Sequence, residues 1–256
     1  MKLKDNAIIV TGGTSGIGAA IARKIVVEGG KVLIHGRDKS DGEKVVAELG
    51  EKAVLCIIDL EDLSAPEVIA NACVSAFGKI DGLVNNAANL SRANLDELTP
   101  ERFDSYIAVN IKAPLFLIKA CHSELKKTRG SVLNIGSTNA YAGETSLIGY
   151  SVSKGALATM TRNLANAHGI HGIRINQINP GWILTDNERE LQISRGGSKD
   201  WFDHLTREQI PFGKMSTPED VAAASIYWLS DDSKTFSGTI LELEQFSVIG
   251  RNPEKL

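Results

Sequence analysis

The chain has little of several things, and each shortage removes a class of protein. Cysteine is scarce: Cys56, Cys73 and Cys121 are odd in number, far apart and never in a CxxC pair. That excludes a disulfide framework and a cysteine-based zinc module, and it leaves buried thiols in a reducing compartment as the expectation. The five histidines (His35, His122, His168, His171 and His204) form no HExxH pair. His168 and His171 stand three apart but straddle Gly169, an expected helix stop, so no metal site is expected. Positive charge is not in excess, since the formal net charge is −3, and this argues against a nucleic-acid partner. No uncharged apolar run is long enough for a bilayer, and the start, MKLKDNAIIVTGG, lacks the apolar stretch of a secretion signal. The expectation is a soluble protein of the cytoplasm with no membrane partner. Proline is also sparse, seven in 256 residues, and no Pro/Gly/Ser linker divides the chain, so residues 1–256 read as a single domain.

What is present is an alternation. Short β-branched runs at 7–10, 32–35, 53–57, 82–85, 131–135, 173–178 and 239–243 read as strands. Amphipathic stretches near 17–28, 40–49, 66–77, 101–127, 150–168 and 218–230 read as helices. Thr99-Pro100-Glu101 and Thr217-Pro218-Glu219-Asp220 give a cap, then proline, then acid at the positive end of the helix dipole. Gly78 and Gly169 are candidate stops. Strands apolar on both faces, alternating with helices, predict an α/β fold: a doubly wound, Rossmann-type parallel sheet of about seven strands. Such sheets bind ligands at the carboxyl ends of their strands. The polar stretch 186–215 breaks the rhythm and reads as a substrate loop or lid.

The first strand runs into Thr11-Gly12-Gly13-Thr14-Ser15-Gly16-Ile17-Gly18 and then into a helical pattern. Gly12 suits the turn, Gly16 lets backbone approach a pyrophosphate, and Gly18 lets the helix pack on the strand; the helix N-terminus then receives phosphate. About 20 residues on, where such folds usually place an acid for the ribose 2′-hydroxyl, the second strand ends His35-Gly36-Arg37-Asp38. A missing carboxylate and an adjacent guanidinium favour a 2′-phosphate, hence NADP, with NAD as the alternative because Asp38 is close by. Asp59, after the third strand, could accept from an adenine amino group or cap the next helix.

Tyr150 and Lys154 are spaced i,i+4 at a helix start, which puts phenol and ammonium on one face. A free tyrosine titrates near 10, and a neighbouring cation would lower that value toward one useful for acid–base work. Ser137 closes the fifth strand thirteen positions before Tyr150, Asn85-Asn86-Ala87-Ala88 closes the fourth, and Asn110 lies within 101–127.

Together with Asn179-Pro180-Gly181 and Thr185, these motifs closely resemble the short-chain dehydrogenase/reductase family over nearly the whole chain. The resemblance implies Tyr150 as acid–base, Ser137 as a hydrogen-bond donor to the substrate oxygen, Lys154 as the group that tunes Tyr150 and holds the nicotinamide ribose, and Asn110 as anchor of a proton-relay water. By the same correspondence Thr14, Ser15, Ile17, Leu60, Asn86, Ala87, Pro180, Gly181, Ile183 and Thr185 are cofactor contacts, and a homotetramer or homodimer built on the long helices is implied. Two departures stand out: Ala88 where the family commonly has glycine, and Leu241-Glu242-Leu243-Glu244-Gln245-Phe246 where it commonly has V-D-G-G. The tail beyond Gly250 is expected to approach a binding cleft. Asn89, Arg92, Asn139, Glu144, Trp182, Asn187 and Glu188 suggest a polar pocket for a sugar, sugar acid or polyol, the alternative being a 3-oxoacyl thioester, with Arg92 or Arg195 serving its phosphopantetheine arm. A catalytically inactive dinucleotide-binding regulator is the reading from another class.

Overall fold

A computed structural model describes residues 1–248. Seven parallel strands form one sheet: β1 (Ala7–Thr11), β2 (Lys31–Gly36), β3 (Ala53–Ile57), β4 (Gly82–Asn85), β5 (Ser131–Ile135), β6 (Arg174–Pro180) and β7 (Ile240–Leu243). Their order is β3-β2-β1-β4-β5-β6-β7. The helices are α1 (Gly16–Val27), α2 (Lys39–Leu49), α3 (Ala65–Phe77), α4 (Pro100–Ile107), α5 (Ala113–Thr128), α6 (Ile148–His168), α7 (Asp186–Ser194) and α8 (Pro218–Leu229). This is the doubly wound Rossmann-type fold expected of the alternation.

The strands are apolar on both faces because both are covered. Along β1, Ile8 and Val10 join a core built with Ala22 and Ile25 of α1 and Ile226 and Leu229 of α8. Ala7 and Ile9 face the other way, onto Ile69 of α3 and Leu117 and Cys121 of α5. All three cysteines are free and buried, and burial pushes the thiols of Cys56, Cys73 and Cys121 up, so they pack as small apolar groups. Among the described residues no helix is long and apolar enough to cross a membrane.

The capping signals hold: Thr99 accepts from Arg102 N at 3.3 Å, and the Asp220 carboxylate accepts from Thr217 N at 2.8 Å. Gly78 ends α3 in the left-handed conformation, φ 78°. Gly169 does not stop α6 in that way. It keeps right-handed geometry, and the chain makes one further 3-10 turn to Gly172, where φ is 76°.

Two elements differ from expectation. The single helix foreseen over 101–127 is interrupted by a π turn at Ala108–Lys112, where the Ala113 N–H reaches back five residues to the Ala108 carbonyl. Pro114 explains the widening, since it has no N–H to offer the Asn110 carbonyl four residues earlier. The stretch 186–215 is not wholly irregular: it opens with α7 and carries a 3-10 turn at Trp201–His204.

Candidate active site

The chain order reverses between β1 and β4, so the connections leaving them diverge to opposite faces and open a crevice at the strands' carboxyl ends. Thr11, the last residue of β1, ties its floor together: its Oγ1 accepts from Asn86 N at 3.0 Å and Ala87 N at 3.1 Å and donates to Val84 O at 3.3 Å. Asn86 returns the tie, with Nδ2 donating to Thr11 O at 2.9 Å and Gly12 O at 3.1 Å. Asn86 thus braces the glycine turn as well as lining the crevice.

Gly12 and Gly16 have φ of 61° and 50°, backbone that L side chains rarely adopt. Gly18 lies beneath the turn and not on its ligand side: a Cβ there would overlap the Gly12 carbonyl oxygen and meet Asn86 Nδ2 at 2.5 Å. His35 was not anticipated as a site residue. Buried in β2, its ring accepts from Gly12 N at Nδ1 (3.4 Å) and donates from Nε2 to Ile58 O (2.9 Å), which fixes the neutral tautomer. Burial holds its pKa below the ordinary histidine value. The signal for it was a lone histidine at the ligand end of an otherwise apolar strand.

Around this turn lies one cavity of about 850 Å³. Gly12, Thr14, Ser15, Gly16 and Ile17 line it with Arg37, Asp59, Leu60 and Ala87 at one side, and Ser137, Tyr150, Lys154, Pro180, Gly181, Ile183 and Thr185 at the other. Gly18 and Asn110 are not on its wall. At the outer rim the Arg37 side chain is 78% exposed and pairs with Asp59 at 3.7 Å. Asp59 also accepts from Glu61 N at 3.0 Å. Asp38 is taken up as the N-cap of α2, accepting from Asp41 N at 2.9 Å. Gly36 packs against Thr14 so closely that a Cβ would strike the Thr14 methyl, which closes that position to a larger side chain.

At the inner end, Ser137 follows β5 and its Oγ accepts from Asn139 N at 3.1 Å, leaving its own hydrogen to donate elsewhere. Tyr150 and Lys154 occupy the first turns of α6, both buried. Gly149 lets the Tyr106 ring pack flush on that helix start, seating Tyr150 beside Tyr106 and Leu147. The Lys154 ammonium donates to Ile135 O at 2.7 Å and lies 5.5 Å from the centre of the Tyr150 ring. The expected depression of the tyrosine by the lysine is not what the protein alone produces. Burial disfavours both charged forms, pushing Tyr150 up to about 12, against a smaller opposing pull from Ser137, and Lys154 down to about 8.

Asn110 sits in the π turn with its side chain fully engaged. Oδ1 accepts from Asn89 N at 2.7 Å, and Nδ2 donates to Asn89 O at 3.1 Å and Ser153 Oγ at 2.8 Å. It holds the loop after β4 to α6, so its side chain positions the site and does not face it.

On the substrate side, Asn89, Trp182, Asn187 and Glu188 line the cavity, whereas Arg92, Asn139, Glu144 and Arg195 do not. Arg92 is paired with Glu144 and donates to Ser146 Oγ at 2.8 Å. Trp182 stacks on Trp201 (ring centres 5.3 Å apart, planes at 25°) and donates from its indole to Glu188 Oε1 at 2.8 Å. Gln192 donates to the same oxygen at 2.7 Å, so the carboxylate is held from two directions. Thr185 caps α7, accepting from Glu188 N at 3.1 Å. A further contact was not anticipated: Glu244, beyond β7, packs its carboxylate on Gly181 and accepts from Trp182 N at 2.9 Å. The divergent sequence after β7 therefore buttresses the loop after β6. The tail beyond Gly250, expected near a cleft, lies outside the described residues.

A glycine turn at the switch point of a doubly wound sheet, facing a serine, a tyrosine and a lysine, defines a dinucleotide-dependent oxidoreductase. The chain belongs to the short-chain dehydrogenases, whose family model matches residues 6–195. It is similar to an L-fucose dehydrogenase of Mus musculus, 34% identical over 90% of this chain and 84% of that one. It is also similar to a galactitol 2-dehydrogenase of Agrobacterium fabrum, 29% identical over 91% and 93%. Among solved structures, a 3-ketoacyl-(acyl-carrier-protein) reductase of Brucella melitensis complexed with NADH superposes with a TM-score of 0.84 at 27% identity, covering 95% of this chain and 98% of that one. The protein is an oxidoreductase acting on CH–OH or C=O groups of a small molecule with NAD(P).

Proposed function

We propose that the enzyme interconverts a neutral sugar or polyol and its carbonyl form, using NADP in preference to NAD, with Tyr150 exchanging the proton at the substrate oxygen. The observation that carries this reading is the convergence of Ser137, Tyr150 and Lys154, from the end of β5 and the start of α6, on the cavity that contains the glycine turn. The volume, about 850 Å³, lies in the upper part of the range of ligand pockets and suits a dinucleotide with a small substrate beside it. The glycine turn and the N-terminus of α1 line the cavity, with left-handed backbone at Gly12 and Gly16 that keeps side chains out of the turn, so the residues fit the phosphates of the cofactor.

When bound, the dinucleotide supplies the hydride acceptor or donor and, in its oxidised form, a positive ring that favours a nearby phenolate. Tyr150 Oη holds the proton that leaves or joins the substrate oxygen. Ser137, already accepting from Asn139, donates to that same oxygen. Lys154, anchored on Ile135 O, has further hydrogens for a ribose hydroxyl. Arg37 at the open rim, with no acid at position 36 and Asp38 engaged as a cap, supports recognition of a 2′-phosphate.

Substrate class rests on the polar wall of Asn89, Asn187 and Glu188. A fixed carboxylate accepts from hydroxyl groups and repels an acid, which favours a sugar or polyol over a sugar acid. The names of the fucose and galactitol relatives support the same class. Residues 186–215 act as the substrate loop, pinned by the Trp182–Trp201 stack. Exposed Leu115, Phe116 and Val152 support pairing of subunits through α5 and α6.

Tyr150→Phe tests the chemistry. The expected result is a fall in kcat of about 10²- to 10⁴-fold, the range of general acid–base catalysis, with NADP binding by fluorescence titration retained. Near-native kcat would overturn the assignment. A panel of neutral sugars, alditols, aldonic acids and 3-oxoacyl thioesters, followed through nicotinamide absorbance, tests the substrate class; a preference for thioesters would replace it.

A further inference from the structure

Away from the cavity, the far halves of two helices bring together residues that are distant in sequence. His122 lies on α5, His168 is the last residue of α6, and His171 closes the 3-10 turn beyond it. Each offers one imidazole nitrogen, and these atoms lie within 4.8 Å of one another. The ring centres are 4.8 Å apart for His122 and His168, 5.8 Å for His122 and His171, and 6.1 Å for His168 and His171. This is the only group of three or more histidine, cysteine or acidic side chains with ligand spacing among the described residues.

A second observation points to a ligand. His122 Nε2 and His168 Nδ1 are sealed from solvent and have no hydrogen-bond partner. Buried polar atoms almost always find a partner, so two such nitrogens in one cluster mark a missing one. A cation that takes lone pairs would satisfy both.

We propose that His122, His168 and His171 form a binding site for one divalent transition-metal ion of the zinc type, with water completing its coordination. The donors are all imidazole nitrogens, which suit zinc and its neighbours and not magnesium or calcium, whose sites are built from oxygen. Tetrahedral bonds of 2.0–2.1 Å would bring the nitrogens to about 3.4 Å from one another, a closure within reach of small side-chain rotations. Lys119 lines the same depression, with its ammonium 5.7 Å from the centre of the Phe116 ring, and its long stem lets that charge turn to solvent. None of the three histidines lines the dinucleotide cavity, so the ion clamps the end of α6 to α5 and takes no part in hydride transfer.

The test uses the full chain without an affinity tag, titrated with Zn²⁺ by calorimetry and with Co²⁺ by visible absorption. The expected result is one ion per chain, a tetrahedral cobalt spectrum, and a Tm raised by zinc and returned by chelator. His168→Ala and His122→Gln should each weaken zinc by about tenfold or more, the scale on which metal sites respond to lost support. His171→Gln, on the surface turn, gives the same readout without disturbing helix packing. His204→Ala, at an exposed histidine outside the cluster, should leave zinc affinity unchanged, and turnover should be retained in the His122, His168 and His171 variants. Absence of saturable binding, or binding indifferent to both His168→Ala and His171→Gln, would overturn the site without touching the assignment of Tyr150.

Discussion

The two ends of the long cavity are built from different material. At the glycine turn the contacts are backbone groups, locked by Thr11 and His35, each 1% exposed, and by Asn86 from across the crevice. At the other end the proposed substrate wall includes side chains of α7, a helix with no buried residue, held by the bonds of Trp182, Glu188 and Gln192. In the first arrangement Thr11, Gly12, His35 and Asn86 are one another's partners, so a single change is felt by several groups. The second can be re-lettered without unfolding anything. A fixed cofactor and a variable substrate would demand this division, and variants at the two ends should separate it by size of effect.

Of the variants that separate the two ends, Gly18→Ala carries the largest expected effect. A methyl there would overlap the Gly12 carbonyl, which is backbone and cannot turn aside. Gly18→Ala should lower stability by about 1–3 kcal/mol, the scale of overpacking, and weaken NADP and NAD alike. Chemical denaturation with parallel dinucleotide titration checks it. A variant of native stability and affinity would mean the turn is looser than its bonds imply.

His35 gives the next. Burial keeps its folded pKa below 6.5, so the unfolded chain binds a proton that the folded chain refuses. Its contribution is fully present above pH 6.5 and is lost as pH falls through 6.5 toward the lower folded value. The slope is bounded at about 1.4 kcal/mol per pH unit for one proton. Stability measured between pH 8 and 5 should show this acid limb, and His35→Gln should flatten it. Because the ring also accepts from Gly12 N, dinucleotide affinity should hold across that window and fall only once pH passes the lower folded value, where the folded chain itself takes the proton.

At the rim, Arg37 is mostly exposed, and solvent weakens what its charge can do. Arg37→Ala should raise the KM for NADP by about five- to tenfold, roughly 1–1.4 kcal/mol for a charge-assisted contact partly screened, and leave NAD nearly unchanged. Equal effects on both cofactors would shift the reading from phosphate recognition to the Arg37–Asp59 pair.

How much of this is legible in the sequence depends on the range over which each signal acts. The sheet was legible because its strands are short contiguous apolar runs, and the glycine turn and Tyr150–Lys154 pair because their spacing is local. The π turn was hidden by the unbroken pattern of 101–127, although Pro114, four residues after Asn110, was the available clue. Helix α7 was hidden by its lack of an apolar face, yet Thr185 with Glu188 three positions later is a capping signature. Of the histidine cluster only His168 and His171 stand close together in the chain, and Gly169 between them reads as a stop; His122, 46 residues before His168, and Glu244, 62 residues after Trp182, had no local signal. The protonation of Tyr150 and Lys154 depended on burial, which spacing does not report.

The smallest expected effect is also the one that best isolates substrate chemistry. Glu188 keeps its place through Oε1, which accepts from Trp182 and Gln192, and glutamine retains such an oxygen. Glu188→Gln therefore removes charge while leaving the wall standing. For a neutral polyol the loss of a charged acceptor should lower kcat/KM by about two- to threefold, some 0.5 kcal/mol for a partly solvated group. For the corresponding sugar acid, relief of repulsion should raise kcat/KM by a similar factor, so that the ratio between the two substrates moves by about four- to ninefold. Stability and the KM for NADP should not change, because no bond of the glycine turn reaches α7. A ratio that stays fixed would place the substrate away from Glu188, and the polar wall would then be a property of the loop alone.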